Sequence, residues 1–295
     1  MANQGARTLQ TAMNKFLTCF LLLILVLLPT HSMADADTAR LAMEDAGNPL
    51  ILITTTDGNI FVEMLRQEAL NNVQRFLALA AGEIEIVNAV TNERAFSRYY
   101  DGMRFHRVIP GFIIQAGSPI YHAFGAPVNT LSDEINAEAL GLNLTKAMNE
   151  DGTFNVMLNI STKSDFDAEI LKPLYRRMGI DTIAALISRQ DEVLQALQNL
   201  TVKAVYENQG YSYRSNALTR PISRGVIALA NQGPDTNGPE FFISLSDAPW
   251  LSGKHTVIGK VVEGMEVVDA IGTNAVDPLE YSSEGSVILS ISTVN

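Results

Sequence analysis

Phe105-His106-Arg107-Val108-Ile109-Pro110-Gly111-Phe112-Ile113-Ile114-Gln115-Ala116-Gly117 sets the pattern of the whole chain, a short apolar run interrupted and ended by turn residues. Similar runs recur at Gly225 to Ala230, Glu240 to Leu245, Thr256 to Val262 and Ser286 to Val294, each bounded by glycine, proline or asparagine. Runs of this length with this punctuation predict strands, so the framework is mainly β. Upstream, Leu50 to Thr56 and Ile60 to Leu65 flank Asp57-Gly58, which predicts an opening hairpin. From Asn71 the spacing turns helical, with Val73, Phe76, Leu77 and Ala80 on one face and Gly82 as a stop. Val267, Val268 and Ile271 before Gly272 predict a second short helix.

The remaining composition narrows the classes. A chain of 295 residues, 47% hydrophobic and 18% charged, buries a sizeable core and is not disordered. Its net charge of -11 is opposite in sign to a phosphate-binding surface, which argues against nucleic acid as a partner. Cys19 is the single cysteine, so an internal disulfide, a dithiol redox pair and a thiolate zinc site are all excluded. The histidines are His31, His106, His122 and His255, without tight ligand spacing, and no metal is expected.

Arg7 and Lys15, the apolar run Phe16 to Leu28, and Ser32-Met33-Ala34 have the order of a secretory signal peptide over residues 1–34. Cleavage after Ala34 is expected, leaving a mature chain of residues 35–295, periplasmic or secreted, with no stable membrane anchor. The apolar run is shorter than the roughly 20 residues that span a bilayer. Met13-Asn14-Lys15-Phe16 is an alternative leader start to Met1.

Residues 142–219 differ in character and are expected to form a helical insertion. Asp181 is placed to cap a helix carrying Ile183, Leu186, Leu194, Leu197 and Val205, with Gly210 as its stop. Gly179 closes, and Pro173 starts or breaks, a preceding helix. Asn143, Asn159 and Asn199 each begin an Asn-x-Ser/Thr pattern, to which no role is assigned. A second, shorter insertion is expected around Glu83 to Arg98.

Two blocks in order carry a resemblance. The first is Phe105 to Gly117. The second runs Arg224-Gly225-Val226-Ile227-Ala228-Leu229-Ala230-Asn231-Gln232-Gly233-Pro234-Asp235-Thr236-Asn237-Gly238-Pro239-Glu240-Phe241-Phe242-Ile243 and continues through Trp250-Leu251-Ser252-Gly253-Lys254-His255-Thr256. With the opening hairpin, Tyr100-Asp101-Gly102 and Asp133-Glu134, they resemble the cyclophilin family of peptidyl-prolyl cis-trans isomerases over most of residues 50–295 outside the insertion. The resemblance implies a closed eight-stranded antiparallel β-barrel capped by two helices, an enzyme without a cofactor, and proline-containing segments of client proteins as partners. It implies Arg107 as the catalytic group and Phe112, Ile113, Phe242 and Leu251 as the proline pocket. Gln115 and Asn231 would hold the substrate backbone, and Ala230, Trp250 and His255 would form the rim.

The chemistry asks for those groups. Rotation about an X-Pro bond faces a barrier of roughly 18 to 20 kcal/mol, because the nitrogen lone pair is delocalised into the carbonyl. A fixed donor that meets the nitrogen of the twisted amide lowers that barrier with no covalent step, and a guanidinium is always charged and rigid. The departures from the family pattern are Ile113 for methionine, Ala116 and Ser118 after Gln115, and Glu240 for glutamine. Glu240, counted among the substrate-binding positions, is expected to lie near Arg107 and able to pair with it. Asp133-Glu134 is expected to form a solvated turn, and His106 to be a buried structural histidine. The insertion is expected to be dispensable for chemistry. The alternative function is a non-catalytic module or chaperone that binds proline segments through the helical insertion.

Overall fold

The computed structural model describes residues 35–88, 90–277, 279 and 285–294. The expected leader, its cleavage point and Cys19 lie outside the described residues. Among the described residues no helix is long and apolar enough to cross a membrane.

The chain runs through α1 (Ala36–Leu41), the hairpin β1 (Leu50–Thr55) and β2 (Gly58–Met64), and α2 (Leu70–Ala81). Short strands follow: β3 (Glu85–Val87), β4 (Arg94–Phe96), β5 (Arg107–Ile109), β6 (Ile113–Ala116) and β7 (Ala126–Pro127). Next come α3 (Lys163–Phe166), a π turn (Asp167–Leu171), α4 (Lys172–Met178), α5 (Ile183–Ser188), α6 (Gln190–Asn199) and α7 (Val202–Gln209). The last part supplies β8 (Val226–Leu229), β9 (Phe241–Ser244), β10 (Val257–Glu263), α8 (Met265–Ile271) and β11 (Ile288–Thr293).

Eight antiparallel strands form the main sheet in the order β11-β1-β2-β10-β8-β9-β6-β5. The expected closed barrel is not formed. The sheet is an open half-barrel whose end strands, β5 and β11, do not pair as a ladder; isolated bridges Arg104–Val287 and Val108–Val276 are the contacts of that type between their flanks. Along the outer edge of β5, Val108 exchanges both backbone hydrogen bonds with Val276, which lies outside β11, and the β11 flank meets the chain earlier, where Phe105 donates to Ser286. The stretch around 83–98 supplies β3 and β4, which form a separate three-stranded sheet with β7.

One face of the main sheet and α2 enclose the principal core. Phe76 lies 4.8 Å from Tyr100 and 5.4 Å from Phe241 between ring centroids, with Ile114, Ile243 and Ile258 fully buried around them. Helix α2 ends on Gly82 in the left-handed conformation, but its N-cap, Ala69, has no capping side chain. Glu134 does that work from a distant loop. Its Oε2 accepts the Asn72 N–H at 2.9 Å and its Oε1 the Asn71 N–H at 3.3 Å, and the two side-chain amides donate to the same oxygens at 2.9 and 3.1 Å. A carboxylate at a helix N-terminus satisfies orphan donors and opposes the dipole. Glu134 is therefore a buried helix cap and not part of a solvated turn.

The stretch 142–219 has a hydrophobic cluster of its own, built on Leu142, Ala147, Leu158, Ile170, Val202, Val205 and Tyr206. The long helix expected from Asp181 is three helices. Thr182, not Asp181, is the cap, with its hydroxyl accepting the Ala185 N–H at 3.1 Å. Breaks at Arg189 and at Leu200-Thr201 separate α5, α6 and α7, and Thr201 caps α7 in turn. Gly179 and Gly210 end α4 and α7 in left-handed conformations.

Candidate active site

Strand register assembles the site. Arg107 on β5 lies opposite Gln115 on β6, Gln115 opposite Phe242 on β9, and Phe242 opposite Ala228 on β8. Directly opposed residues in an antiparallel ladder share a face, so these four form a row across the sheet. Their neighbours Val108, Ile114, Ile243 and Ile227 point the other way, into the principal core. The half-barrel thus uses one face for stability and the other for a site.

On the site face, Ile113 and Phe242 are buried in a second apolar cluster with Ala228 and Val257, and Phe112, Ala230, Trp250 and Leu251 pack against it. The 3-10 turn Pro249–Leu251 presents Trp250, whose ring lies 5.8 Å from Phe112 at 34°. His255 meets Phe242 edge-on, 5.4 Å between centroids at 88°. Burial lowers the His255 pKa, against a hydrogen bond to Leu229 and with help from the charge of Lys254, to about 4. The ring is therefore neutral at pH 7, and its Nδ1, 3.0 Å from the Leu229 carbonyl, carries the proton.

At the edge of this slot is a chain of polar groups. Arg107 donates from Nη1 to Gln115 Oε1 at 3.0 Å, and Gln115 donates from Nε2 to Glu240 Oε1 at 2.6 Å. The same Glu240 oxygen lies 3.0 Å from His106 Nε2. Burial pushes the Glu240 carboxyl up, but hydrogen bonds from His106 and Gln115, the charge of His106 and a bond from Ser118 outweigh it, so it lies below its ordinary 4.5. Glu240 does not pair with Arg107; its Oε1 faces His106 Nε2. A carboxylate only accepts, so Gln115 must turn its NH2 toward Glu240 and its carbonyl oxygen toward Arg107.

His106, expected to be structural, belongs to this network. Its ring packs on Tyr121 at 5.0 Å, and Nδ1 is buried without a hydrogen-bond partner. His106 stands next to Arg107 in the sequence, and spacing alone does not say which of the two meets the acid at 240. The Asn231 amide donates to the Lys254 carbonyl at 2.9 Å and to Asn237 at 3.3 Å, so this side chain holds the loop beside the site. A cavity of about 480 Å³ shares Gln115 and Ala230 with the site and is lined also by Asn231, Glu240, Pro119 and Pro127.

Residues 50–293 match the family model for cyclophilin type peptidyl-prolyl cis-trans isomerase/CLD. The chain belongs to the cyclophilin family. Among its relatives, peptidyl-prolyl cis-trans isomerase B of Streptomyces anulatus is 28% identical over 228 residues, 77% of this cyclophilin and 85% of the relative. The probable peptidyl-prolyl cis-trans isomerase A of Mycobacterium leprae is 26% identical over 246 residues, 83% and 91% of the two chains. A cyclophilin-type isomerase of Cryptosporidium parvum, solved in the presence of the dipeptide Ala-Pro, is 19% identical with a TM-score of 0.46, covering 83% of this chain and 99% of that one. The family is one of isomerases that act at X-Pro bonds, so the polar chain and the apolar slot together are this cyclophilin's candidate active site.

Proposed function

We propose that this cyclophilin catalyses X-Pro rotation by arginine stabilisation of the twisted amide. The observation that carries the reading is the row Arg107–Gln115–Phe242, which sets a guanidinium beside an apolar slot with one of its nitrogens held at 3.0 Å by Gln115. The proline ring enters between Phe112, Ile113, Phe242 and Leu251, with Trp250 and Ala230 at the rim. As the amide twists, its nitrogen becomes pyramidal and recovers a lone pair. Arg107 has five N–H donors and Gln115 occupies one of those in view, leaving others for the prolyl nitrogen. The guanidinium is anchored before the substrate arrives, so little reorganisation is paid in the transition state. With the Asn231 amide engaged inside the protein, the peptide backbone at this position is held by the main chain.

The reading of a binder without turnover draws its support from a carboxylate that could compete for the arginine and from the large insertion. Glu240 faces His106 and Gln115, which favours the enzyme. We propose further that the chain acts on exported proteins, periplasmic or secreted, a reading supported by the basic start, apolar run and small-residue cleavage pattern of residues 1–34. A protease-coupled isomerisation assay on the mature protein tests the activity, and mass spectrometry of the exported protein tests for an N-terminus at Asp35. A folded protein that binds proline peptides without accelerating their isomerisation supports the binder instead.

A further inference from the structure

The helical stretch 142–219 bears directly on the segment that carries Trp250, Leu251 and His255. Its turn Val156–Leu158 packs on the turn Pro249–Leu251. Tyr213 donates its hydroxyl to the Gly253 carbonyl at 3.0 Å. The Tyr206 ring lies under the Lys254 ammonium, 4.7 Å from its centroid, and its hydroxyl bonds the Met157 carbonyl, so one side chain joins α7, the 156–158 turn and the site loop. Gly253 has φ +87°, and a Cβ there would lie 2.6 Å from Leu142 Cδ1 and 3.2 Å from the Tyr206 ring. Leu142 and Tyr206 are both fully buried in the helical stretch's own cluster.

The same loop is held from the barrel side. Asn231 donates to the Lys254 carbonyl, His255 donates to Leu229, and Trp250 and His255 pack on Phe112 and Phe242. The loop therefore has two faces, one fixed by the sheet and one by the helices, and no slack between them at Gly253. A wall of a binding slot carried on a loop is only as well placed as the loop's second support.

We propose that Tyr213 and Tyr206 are positioning residues of the peptide site, and that the inserted helices set the place of Trp250, Leu251 and His255 through Gly253 and Lys254. This rests on the slot being the proline site. It gives the insertion a part in binding and leaves the chemical step to the sheet. An apolar wall contacts ground and transition states alike, so its displacement weakens binding and leaves the rate from the bound state nearly intact.

The test is Tyr213→Phe, which keeps the ring and removes one hydrogen bond, read by KM, kcat, thermal unfolding and the emission of Trp250, the one tryptophan of the chain. The expected result is a KM for a proline tetrapeptide raised roughly threefold to tenfold with kcat within about twofold, as for loss of uniform binding. Trp250 emission shifts to the red in the free protein, and Gly253→Ala gives the same changes in larger measure. Ile187→Ala, exposed on α5, is the control that changes neither. Unchanged KM and emission in folded Tyr213→Phe overturn the proposal, as does a fall in unfolding temperature with both kinetic constants unchanged. If the wild type shows no isomerase activity, the catalytic reading fails, and titration of Trp250 emission with the peptide still decides: weaker binding by Tyr213→Phe supports positioning, and equal binding or none by the wild type overturns it.

Discussion

Glu240 turns its carboxylate to His106 and away from Arg107: Oε1 lies 3.0 Å from His106 Nε2 and 2.6 Å from Gln115 Nε2, and Gln115 alone passes the connection on to the guanidinium. The acid acts on the arginine at one remove, by fixing which end of the Gln115 amide the arginine meets.

From this follows a modest effect for Glu240→Gln. The amide can still bond Gln115, but in either orientation, so kcat/KM falls by less than about tenfold, or about 1.4 kcal/mol. A protease-coupled assay measures it, and a rise beyond tenfold would show that the carboxylate suppresses the native site. The substitution also alters acid stability. The folded carboxyl titrates below its ordinary 4.5, so its stabilisation is complete above that pH and is lost as pH falls through the folded value. Unfolding temperature measured from neutral pH into this range should fall less steeply in Glu240→Gln than in the wild type.

Arg107→Ala removes the proposed donor. The expected loss in kcat/KM is roughly a hundredfold or more, with the unfolding temperature kept, since the side chain is only half-buried at a strand surface. Arg107→Lys should recover little, because a single ammonium cannot hold Gln115 and the prolyl nitrogen in one plane. Near-native activity in either folded variant would sink the mechanism.

His255 makes a prediction about pH. Its folded value is about 4 against an ordinary 6.5, so the unfolded chain takes up the proton first. The stability due to the neutral ring is whole above 6.5 and drains away as pH falls from 6.5 toward 4. Peptide affinity should stay level from pH 8 down to about 5, and the ring's proton NMR shift should titrate near 4. A titration near 6.5 would mean that the ring is not held against Phe242 as described.

Glu134→Ala tests the remote cap of α2. Four donors from Asn71 and Asn72 lose their acceptor, those of Asn72 in a buried setting, and Arg214, 3.4 Å away, loses its counter-charge. The expected cost is about 2 to 4 kcal/mol in denaturant unfolding, with Glu134→Gln costing less because the shape and one acceptor remain. A change under half a kcal/mol would make the cap ornamental.

What could be read in the sequence was what lies close together along it. Gly82, Gly179 and Gly210 stop helices where expected, and Asp57-Gly58 turns the first hairpin. The apolar runs became β8 to β11 within a residue or two, because strand length is set by local turn residues. The misses depended on partners far away in the chain. Nothing near Glu134 reveals that Ala69 leaves α2 uncapped, and nothing near Glu240 tells whether His106 or its neighbour Arg107 will receive the carboxylate. Residues 183–205 keep helical apolar spacing across Arg189 and Leu200, so periodicity alone reads one helix where there are three, the first and last capped by Thr182 and Thr201. Barrel closure depended on which segment meets the outer edge of β5, and that is Val276, remote in sequence and outside β11.

The pairing of β1 with β11 has a consequence for how the molecule is made. Ile51 sits against Thr293 and Ile53 against Ile291, so the opening strand of the main sheet has its closing strand as a neighbour. A chain emerging N-terminus first, from a ribosome or through a channel, can make the β1–β2 hairpin early, but an isolated hairpin is marginal in water. The long-range partner β11 is the last of the described strands to arrive, and the cost of bringing the two together is met then. Until that moment β1 lacks its long-range partner, and the X-Pro bonds of the unfinished chain are of the same kind as those on which it would act.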